Sequence, residues 1–189
     1  PNLVKLEEVR GDLHCHSRWS DGSMEIAEVA EKARSLGLSY VAITDHSKSL
    51  GIAHGLDERR LAEQGEEIDA LNKRLRGFRV LKGIECDIKA DGSLDLPDAV
   101  LGDLDWVVAS IHSGFKNDEE AMTARMVKAI QNENVDAVGH PTGRIIQKRK
   151  PYPLNLDRVF EAAAERGVAM EINAFPERLD LDDVSCRKA

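Results

Sequence analysis

Short apolar runs rich in β-branched residues alternate along the chain with longer segments of helical periodicity. Apolar runs bounded by turn residues predict buried strands. The predicted strands are residues 9–16, which show the weakest pattern, 38–44, 78–85, 106–112, 135–140 and 168–173. Amphipathic segments between them predict helices. The predicted helices are residues 23–36, 57–75, 118–133 and 156–166. Because strands alternate with helices, the pattern predicts βα units, a mostly parallel sheet and an α/β fold.

Residues 87–94 interrupt this rhythm. Asp91-Gly92 lies between alternating apolar and polar residues, a pattern typical of a small hairpin. The sequence contains no low-complexity tract, internal repeat or long linker. We therefore predict one domain over residues 1–189.

Composition excludes several classes of protein. A hydrophobic fraction of 42% with 32% charged residues is typical of a globular chain, neither disordered nor membrane-spanning. The 26 Lys and Arg residues against 34 Asp and Glu residues give a net charge of −8. This excludes a general cationic surface for nucleic acid but not a local one. The eight aromatic residues are too scattered to predict a platform for stacking bases.

The cysteine spacing and the first residues of the chain indicate the cellular compartment of the protein. Cys15, Cys86 and Cys186 are far apart and form no C-x-x-C motif, which argues against a disulfide framework. The first ten residues have no apolar signal region, and no apolar run reaches the length of a membrane span. These features predict a cytoplasmic protein with no membrane partner.

Most of the histidines share one position relative to the predicted strands. Five of the six lie at or just past the C-terminal end of a strand: His14, His16, His46, His112 and His140. Glu85 ends the third strand and Asn173 the sixth, with Glu171 on the same face. Ligands bind at this edge of parallel βα folds, so the group predicts a metal site. His54 breaks the rule and is predicted to be a solvated loop residue.

Local spacing indicates which donors the site uses. In His14-Cys15-His16 the strand period of two places both imidazoles on one face and the thiol on the other. Glu85 and Cys86 divide in the same way, so we interpret Cys86 as a core residue. A set of imidazoles and carboxylates without sulfur suits zinc, manganese or iron better than magnesium or calcium.

The motifs that contain these residues occur in a recognisable order. They are DLHCHS at 12–17, SDG at 20–22, TDH at 44–46, GIE at 83–85, ASIH at 109–112 and VGHP at 138–141. In this order they resemble the PHP (polymerase and histidinol phosphatase) superfamily. The surrounding residues, including WSDG at 19–22, DHSKS at 45–49, HPTGR at 140–144 and EINA at 171–174, resemble the C-terminal PHP domain of bacterial family X DNA polymerases.

The resemblance implies a distorted (β/α)7 barrel with up to three divalent metal ions at the C-terminal ends of its strands, and hydrolysis of phosphoesters. Transferred by motif, it implies seven ligands. His14, His16 and Glu85 would hold one metal, Glu85 would bridge to a second held by His112 and His140, and Asp21 with His46 would hold the third.

One departure from the family pattern affects this expectation. The family has a further D-x-H motif on its last strand, and none follows here before Ala189. Asp180 and Asp182 share a spacing of two but have no histidine at the required place. We therefore expect a domain that lacks its last strand and helix. Its second metal would be the best preserved, its third the weakest, and its open edge would favour self-association.

The sequence also indicates the type of chemistry. The resemblance implies phosphoester hydrolysis, for which we predict a metal-bound hydroxide as nucleophile, with Glu85 as the bridging carboxylate. The absence of a G-x-S-x-G elbow and of a P-loop agrees with this prediction. Lys48 and Arg144 each follow a strand-end motif and are candidate contacts for a substrate phosphate. Solvated loop charges are an equal alternative for both. The basic run at 147–150 is a solvated patch or, beside a phosphodiester site, a contact for a DNA backbone.

Three functions remain open at this point. The first is a phosphoesterase acting on DNA ends, as a 3′-5′ exonuclease or 3′-phosphatase, in a parent protein with an N-terminal polymerase module. The second is a small-molecule phosphatase of the histidinol phosphate type. The third is a structural or DNA-positioning domain with little catalysis of its own. The native metal and the oligomeric state are left open.

Overall fold

The computed structural model describes residues 3–189, so residues 1 and 2 of the predicted domain lie outside the described residues. The strands are β1 (Gly11–Cys15), β2 (Tyr40–Ile43), β3 (Arg79–Asp87), β4 (Trp106–Ser110), β5 (Ala137–Val138) and β6 (Ala169–Met170). The helices are α1 (Ile26–Ser35), α2 (Glu58–Asn72), α3 (Asp98–Leu101), α4 (Glu119–Ile130), α5 (Leu156–Arg166) and α6 (Asp183–Lys188). Short 3₁₀ helices form at Leu6–Glu8 and Gly51–Ala53.

The described chain divides into two compact units. The first unit runs to Ile84 and includes Asp103–Trp106. Strands β1, β2 and β3 pair in parallel within it. The apolar positions of α1 recur at helical spacing, at Ile26, Val29, Ala30 and Ala33, and pack in one cluster with side chains of β2, β3 and α2. A buried valine or isoleucine side chain contributes ~1.5–3 kcal/mol to stability. The packing of this cluster therefore stabilises β2 and β3 against the helices.

The second unit comprises Glu85–Gly102 and Val107–Ala189. Strands β4, β5 and β6 pair in parallel within it. Asp118 caps α4 by accepting a hydrogen bond from the Ala121 N–H at 2.8 Å. Gly167 ends α5 in the left-handed conformation. Met122 and Met126 of α4 are fully buried.

Strand order follows chain order within each unit, β1-β2-β3 in the first and β4-β5-β6 in the second. Strands β3 and β4 each contribute residues to both units, and they are joined by a bond within each unit. In the first, the Asp105 N–H donates to the Lys82 carbonyl at 2.8 Å; in the second, the Ile88 N–H donates to the Ser110 carbonyl at 2.8 Å. Parallel strands alternating with helices confirm the α/β prediction.

Several details differ from the sequence pattern. Strands β5 and β6 have two residues each, whereas the pattern predicts six for each. The ladder nevertheless continues past β5, since the Gly139 N–H donates to the Ala109 carbonyl at 3.0 Å. The hairpin is confirmed by an antiparallel bridge between Ile88 and Leu94. The short helices α3 and α6 were not predicted.

Hydropathy along the helices is also informative. Within residues 3–189, none of the helices combines the length and the apolar character that crossing a membrane requires.

Candidate metal centre

The candidate metal ligands lie at or near the C-terminal ends of the strands, as the histidine positions predict. His14 lies in the last residues of β1, and His16 follows the strand directly. His112 and His140 each come two residues after a strand, β4 and β5. His54 is exposed in the loop after a 3₁₀ helix, which confirms the prediction for it. The candidate ligands form two clusters, one in each compact unit.

The first cluster consists of His14, His16, Asp21 and His46. Asp21 Oδ1 lies 3.2 Å from His16 Nδ1, and Asp21 Oδ2 lies 3.4 Å from His46 Nε2. The ring centroids of His16 and His46 are 4.3 Å apart, and those of His14 and His16 are 5.4 Å apart. One carboxylate therefore faces two imidazoles through separate oxygens. Its side chain is 50% exposed.

A buried carboxylate supports the first cluster from behind. Asp45 accepts hydrogen bonds from Ser17 N (2.8 Å), Ser17 Oγ (2.6 Å), Ser20 Oγ (2.5 Å) and Gln64 Nε2 (2.6 Å). These bonds hold the loop between β1 and Asp21, and Asp45 directly precedes His46. We did not single out Asp45 from the sequence, because its donors lie 19 to 28 residues away along the chain.

The second cluster consists of Glu85, Asp87, His112, His140 and Glu171. Glu85 Oε1 lies 2.8 Å from His140 Nε2 and 3.3 Å from His112 Nε2. His112 Nδ1 contacts Asp87 Oδ1 on its other side. Glu171 accepts a hydrogen bond from the His140 backbone N–H. The Glu85 side chain is only 1% exposed, and that of His140 is 5% exposed.

The His140 backbone is held in an unusual conformation. Its φ of +27° lies in a region that residues with a side chain rarely occupy. Such strain persists only where surrounding contacts determine it. The Glu171 carboxylate on the His140 N–H is one such contact. The strand pattern predicts the face on which Glu171 lies but not this contact.

Asp87 is the residue of the second cluster that the sequence analysis missed. Glu85-Cys86-Asp87 has the same alternation as His14-Cys15-His16, so the strand period places both carboxylates on one face. Cys86 is fully buried on the other face, as predicted. The spacing that was applied to the histidines was a sufficient signal for Asp87 as well.

Charge interactions differ between the clusters. Burial alone would lower the pKa of His112, but its contacts with Asp87 and Glu85 outweigh this effect and raise the pKa to about 9. Burial lowers the pKa of His140. In the first cluster, the hydrogen bond from His16 lowers the pKa of Asp21 to about 2. In both clusters, therefore, a carboxylate interacts electrostatically with a neighbouring imidazole.

In each unit an arginine fixes the loops that follow the strands. In the second unit Arg125 is 3% exposed and donates to three carbonyl oxygens, those of Lys89 (2.9 Å), Ser113 (2.8 Å) and Ile88. These carbonyls come shortly after Asp87 and His112. In the first unit Arg60 binds the carbonyls of Trp19, His54 and Gly55 in a similar way.

Lys48 and Arg144, the two cationic candidates, have protein partners. Lys48 Nζ pairs with Glu58 Oε1 at 2.5 Å. The Arg144 guanidinium donates to the carbonyls of Arg178 (3.2 Å) and Leu179 and lies 3.7 Å from Asp182. Their role as phosphate contacts stays a prediction.

Asp180 and Asp182, the carboxylates closest to the expected D-x-H position, have structural partners. Asp180 is fully buried and accepts from Thr142 N and Oγ1 and from Arg144 N. Asp182 accepts from the Ser185 N–H at 2.8 Å and caps α6.

The donor set of the second cluster fits a divalent metal ion. Two imidazole nitrogens converge on one carboxylate oxygen, and His112 bears a carboxylate on its remaining ring nitrogen. Histidines that bind metals commonly donate this other N–H to a carboxylate, which fixes the tautomer. Nitrogen and oxygen donors without sulfur suit zinc, manganese or iron. In the first cluster His16 and His46 likewise converge on Asp21.

Comparison with known proteins defines the class to which this fold and these clusters belong. The family model described as PHP domain matches residues 12–175, so the chain belongs to the PHP domain family. This confirms the resemblance seen in the sequence.

Individual relatives narrow the comparison. The DNA polymerase/3′-5′ exonuclease PolX of Bacillus subtilis (strain 168) is 47% identical over 187 residues, covering 99% of this chain and 33% of that protein. A probable phosphatase of Thermoanaerobacter sp. (strain X514) is 35% identical over 168 residues, covering 86% of this chain and 63% of that protein. The chain thus spans about a third of the first relative and under two thirds of the second.

A solved structure supports the fold. A histidinol phosphate phosphatase from Lactococcus lactis, crystallised with zinc, L-histidinol and phosphate, superposes with a TM-score of 0.57 at 20% identity. The match covers 86% of this chain and 72% of that one. It confirms the α/β fold of the PHP type.

Proposed function

We propose that this chain is a metal-dependent phosphoesterase domain that hydrolyses phosphoesters at the ends of DNA strands. The enzyme class rests on membership of the PHP domain family and on relatives named as a phosphatase and an exonuclease. The observation that carries the proposal is the second cluster, where His112 and His140 converge on the buried carboxylate of Glu85.

We assign one metal ion to Glu85, His112 and His140, and a second ion to the first cluster through Asp21 and His46. That His14 and His16 share a further metal with Glu85 is implied by the family motifs and stays a prediction. Zinc, manganese and iron are the candidate metals. A bound ion supplies Lewis-acid polarisation of a phosphoryl oxygen and acidifies water.

The chain's own residues prepare the site for this chemistry. Asp87 would accept a hydrogen bond from His112 Nδ1–H, which would leave Nε2 to bind an ion held beside Glu85. Glu85 supplies negative charge in a dry environment, where its attraction for a cation is strong. Glu171 holds the strained backbone of His140 and thereby orients its ring. The carbonyl contacts of Arg125 keep the two adjoining loops in place.

DNA ends are the preferred substrate because the relative named as an exonuclease is more similar to this chain than the relative named as a probable phosphatase, at 47% against 35% identity. The PolX relative shares 47% identity over nearly the whole chain. The fraction of that relative that is matched agrees with a parent protein that also has a polymerase module. This part of the proposal concerns the parent protein as well as the chain.

A small-molecule phosphatase is the second candidate function. It is favoured by the probable phosphatase relatives, which are matched over 63% of their length at 35% identity. It shares the metal chemistry of the first candidate and differs only in what the phosphate is attached to.

One set of assays separates the candidates. Bound metals are measured by elemental analysis, and manganese- or zinc-loaded protein is then tested on 3′-phosphorylated DNA, single-stranded DNA and histidinol phosphate. We expect metal-dependent hydrolysis of a DNA substrate, abolished by EDTA and restored by metal. Preference for histidinol phosphate would favour the second candidate. Metal-loaded protein that hydrolyses none of these would contradict the proposed function.

A further inference from the structure

A hairpin rich in cations follows His140 in the second unit. Residues 144–151, here called the basic hairpin, contain four cations: Arg144, Lys148, Arg149 and Lys150. Ile145 and Arg149 close the hairpin, with N–H to carbonyl bonds of 2.9 and 2.8 Å in the two directions. These eight residues line a cavity of about 490 Å³. In a chain with a net charge of −8 this is a local concentration of positive charge.

Three bonds, one from the basic hairpin and two from Tyr152 directly after it, attach this part of the chain to the segment that follows His140. Tyr152 donates its hydroxyl to the Pro141 carbonyl (2.6 Å) and its N–H to the Thr142 carbonyl (3.1 Å). Arg149 Nε donates to the Gly143 carbonyl at 2.7 Å. Gly143 has a φ of +63°, and a Cβ there would lie 2.5 Å from the Tyr152 ring, so only glycine fits. The hairpin is therefore held in a defined position next to the second cluster.

The lysines of the basic hairpin are accessible to an anion. Lys148 pairs with Glu177 at 2.7 Å, but its side chain is 64% exposed. An exposed pair of this kind contributes ~0–1 kcal/mol, so a phosphate can replace the carboxylate at little cost. Within residues 3–189 the structure records no ion pair for Lys150.

The aromatic residues beside the hairpin do not form a platform for bases. The Arg149 guanidinium lies over the Phe115 ring, 4.4 Å from its centroid. Phe115 also stacks on the buried Tyr152, with centroids 5.8 Å apart and an angle of 11° between the rings. Because Phe115 is engaged by two protein partners, its role is to support Arg149. The hairpin therefore provides positive charge but no aromatic surface on which a base could stack.

We propose that the basic hairpin binds the sugar–phosphate backbone of a DNA strand whose end is hydrolysed at the second cluster. This inference rests on the proposed function and names the substrate class of the same site. Arg144 and Arg149 are engaged by protein partners, so the exposed Lys148 and Lys150 are the cations that contact phosphates. Two such cations match two successive phosphates of a polynucleotide. Contacts to the backbone give affinity that depends on salt and not on sequence.

The test measures binding of the full chain to a fluorescent 12-nucleotide oligothymidylate by anisotropy, in EDTA and over a range of KCl concentrations. The variant is Lys148→Ala combined with Lys150→Ala. The matched control, Lys32→Ala combined with Lys73→Ala, removes the same charge from exposed positions near the ends of α1 and α2. Each phosphate contact to a single strand contributes ~0.7 to the slope of log K against log salt.

We expect the hairpin variant to lose about 1.4 from this slope and to bind about tenfold more weakly at ~0.1 M salt, while the control keeps the wild-type slope. An unchanged slope in the hairpin variant, or an equal loss in the control, would overturn the inference. Hydrolysis of p-nitrophenyl phosphate by the metal-loaded wild type tests the proposed function separately. A wild type that hydrolyses this ester while the hairpin variant keeps its slope overturns only the hairpin's role.

Discussion

The first and second clusters use the same types of side chain but differ in their access to water. Asp21 of the first cluster has a side chain that is 50% exposed, whereas the Glu85 side chain of the second is 1% exposed. At the first cluster, water screens the charges and competes with a bound ion for each ligand atom. At the second, the low dielectric strengthens the attraction between a carboxylate and a cation. Since the two clusters share their donor types, we expect burial to decide which of them binds an ion more tightly.

This difference gives the expected ranking of the metals a physical basis. The family motifs predict that the ion on Glu85, His112 and His140 is the best preserved. Burial supports the same ranking independently. The ranking itself stays a prediction, which substitutions in the two clusters and in their supporting contacts test.

Glu85→Gln should have the largest effect. The amide keeps the size of the side chain but removes the charge on which both imidazoles converge. We expect activity on p-nitrophenyl phosphate to fall by ~10³-fold or more, since metal ions contribute several kcal/mol to catalysis, and metal content to fall by at least one ion per chain. The exposed change Glu133→Gln is the control. Full activity with full metal occupancy in Glu85→Gln would refute the role of Glu85.

Arg125→Met should have the next largest effect, on stability. The buried Ile88 carbonyl would lose its donor, as would the part-buried carbonyls of Lys89 and Ser113, and a buried unsatisfied group costs ~1–3 kcal/mol. We expect the free energy of unfolding, measured in urea, to fall by ~2–4 kcal/mol. Arg60→Met should cost less, because water can replace a donor at the half-buried Arg60. Arg158→Met, which removes an exposed pair with Glu120, is the control. A loss in Arg125→Met no larger than in that control would contradict the account.

Asp87→Asn tests the support of His112. An asparagine oxygen accepts a hydrogen bond without the charge that holds the proton on His112 Nδ1. Supporting carboxylates of this kind are worth ~10–100-fold in metal affinity, and we expect a loss in this range in a zinc titration. Asp91→Asn alters an exposed acid of the nearby hairpin and should have no effect. Equal zinc affinity in the two variants would remove Asp87 from the metal centre.

Asp21→Asn should have the smallest effect. Its carboxylate is half-exposed, so an ion held there competes with solvent throughout. We expect about a tenfold loss of affinity for the more weakly bound ion, with the tighter ion retained, as resolved by competition with a metal chelator. Glu25→Gln is the exposed control in the same unit. If Asp21→Asn removed the tighter ion, the ranking of the two clusters would be reversed.

The positions of the candidate metal ligands were predictable from the sequence, whereas the contacts that hold those ligands in place were mostly not. Strand ends could be located from local pattern, and they place the five histidines and Glu85 where the structure has them. Arg125 could not be predicted, because its carbonyl acceptors at Ile88 and Ser113 lie 37 and 12 residues away and carry no signal in their side chains. The donors of Asp45 are distant for the same reason. Such pairings exist only once the chain has folded.

The most direct test of the central claim is anomalous diffraction from zinc-loaded crystals. We predict an anomalous peak at the zinc edge within ~2.0–2.2 Å of nitrogens of His112 and His140 and an oxygen of Glu85. Zinc-loaded crystals with no peak at these three residues would contradict the claim that the second cluster is a metal site.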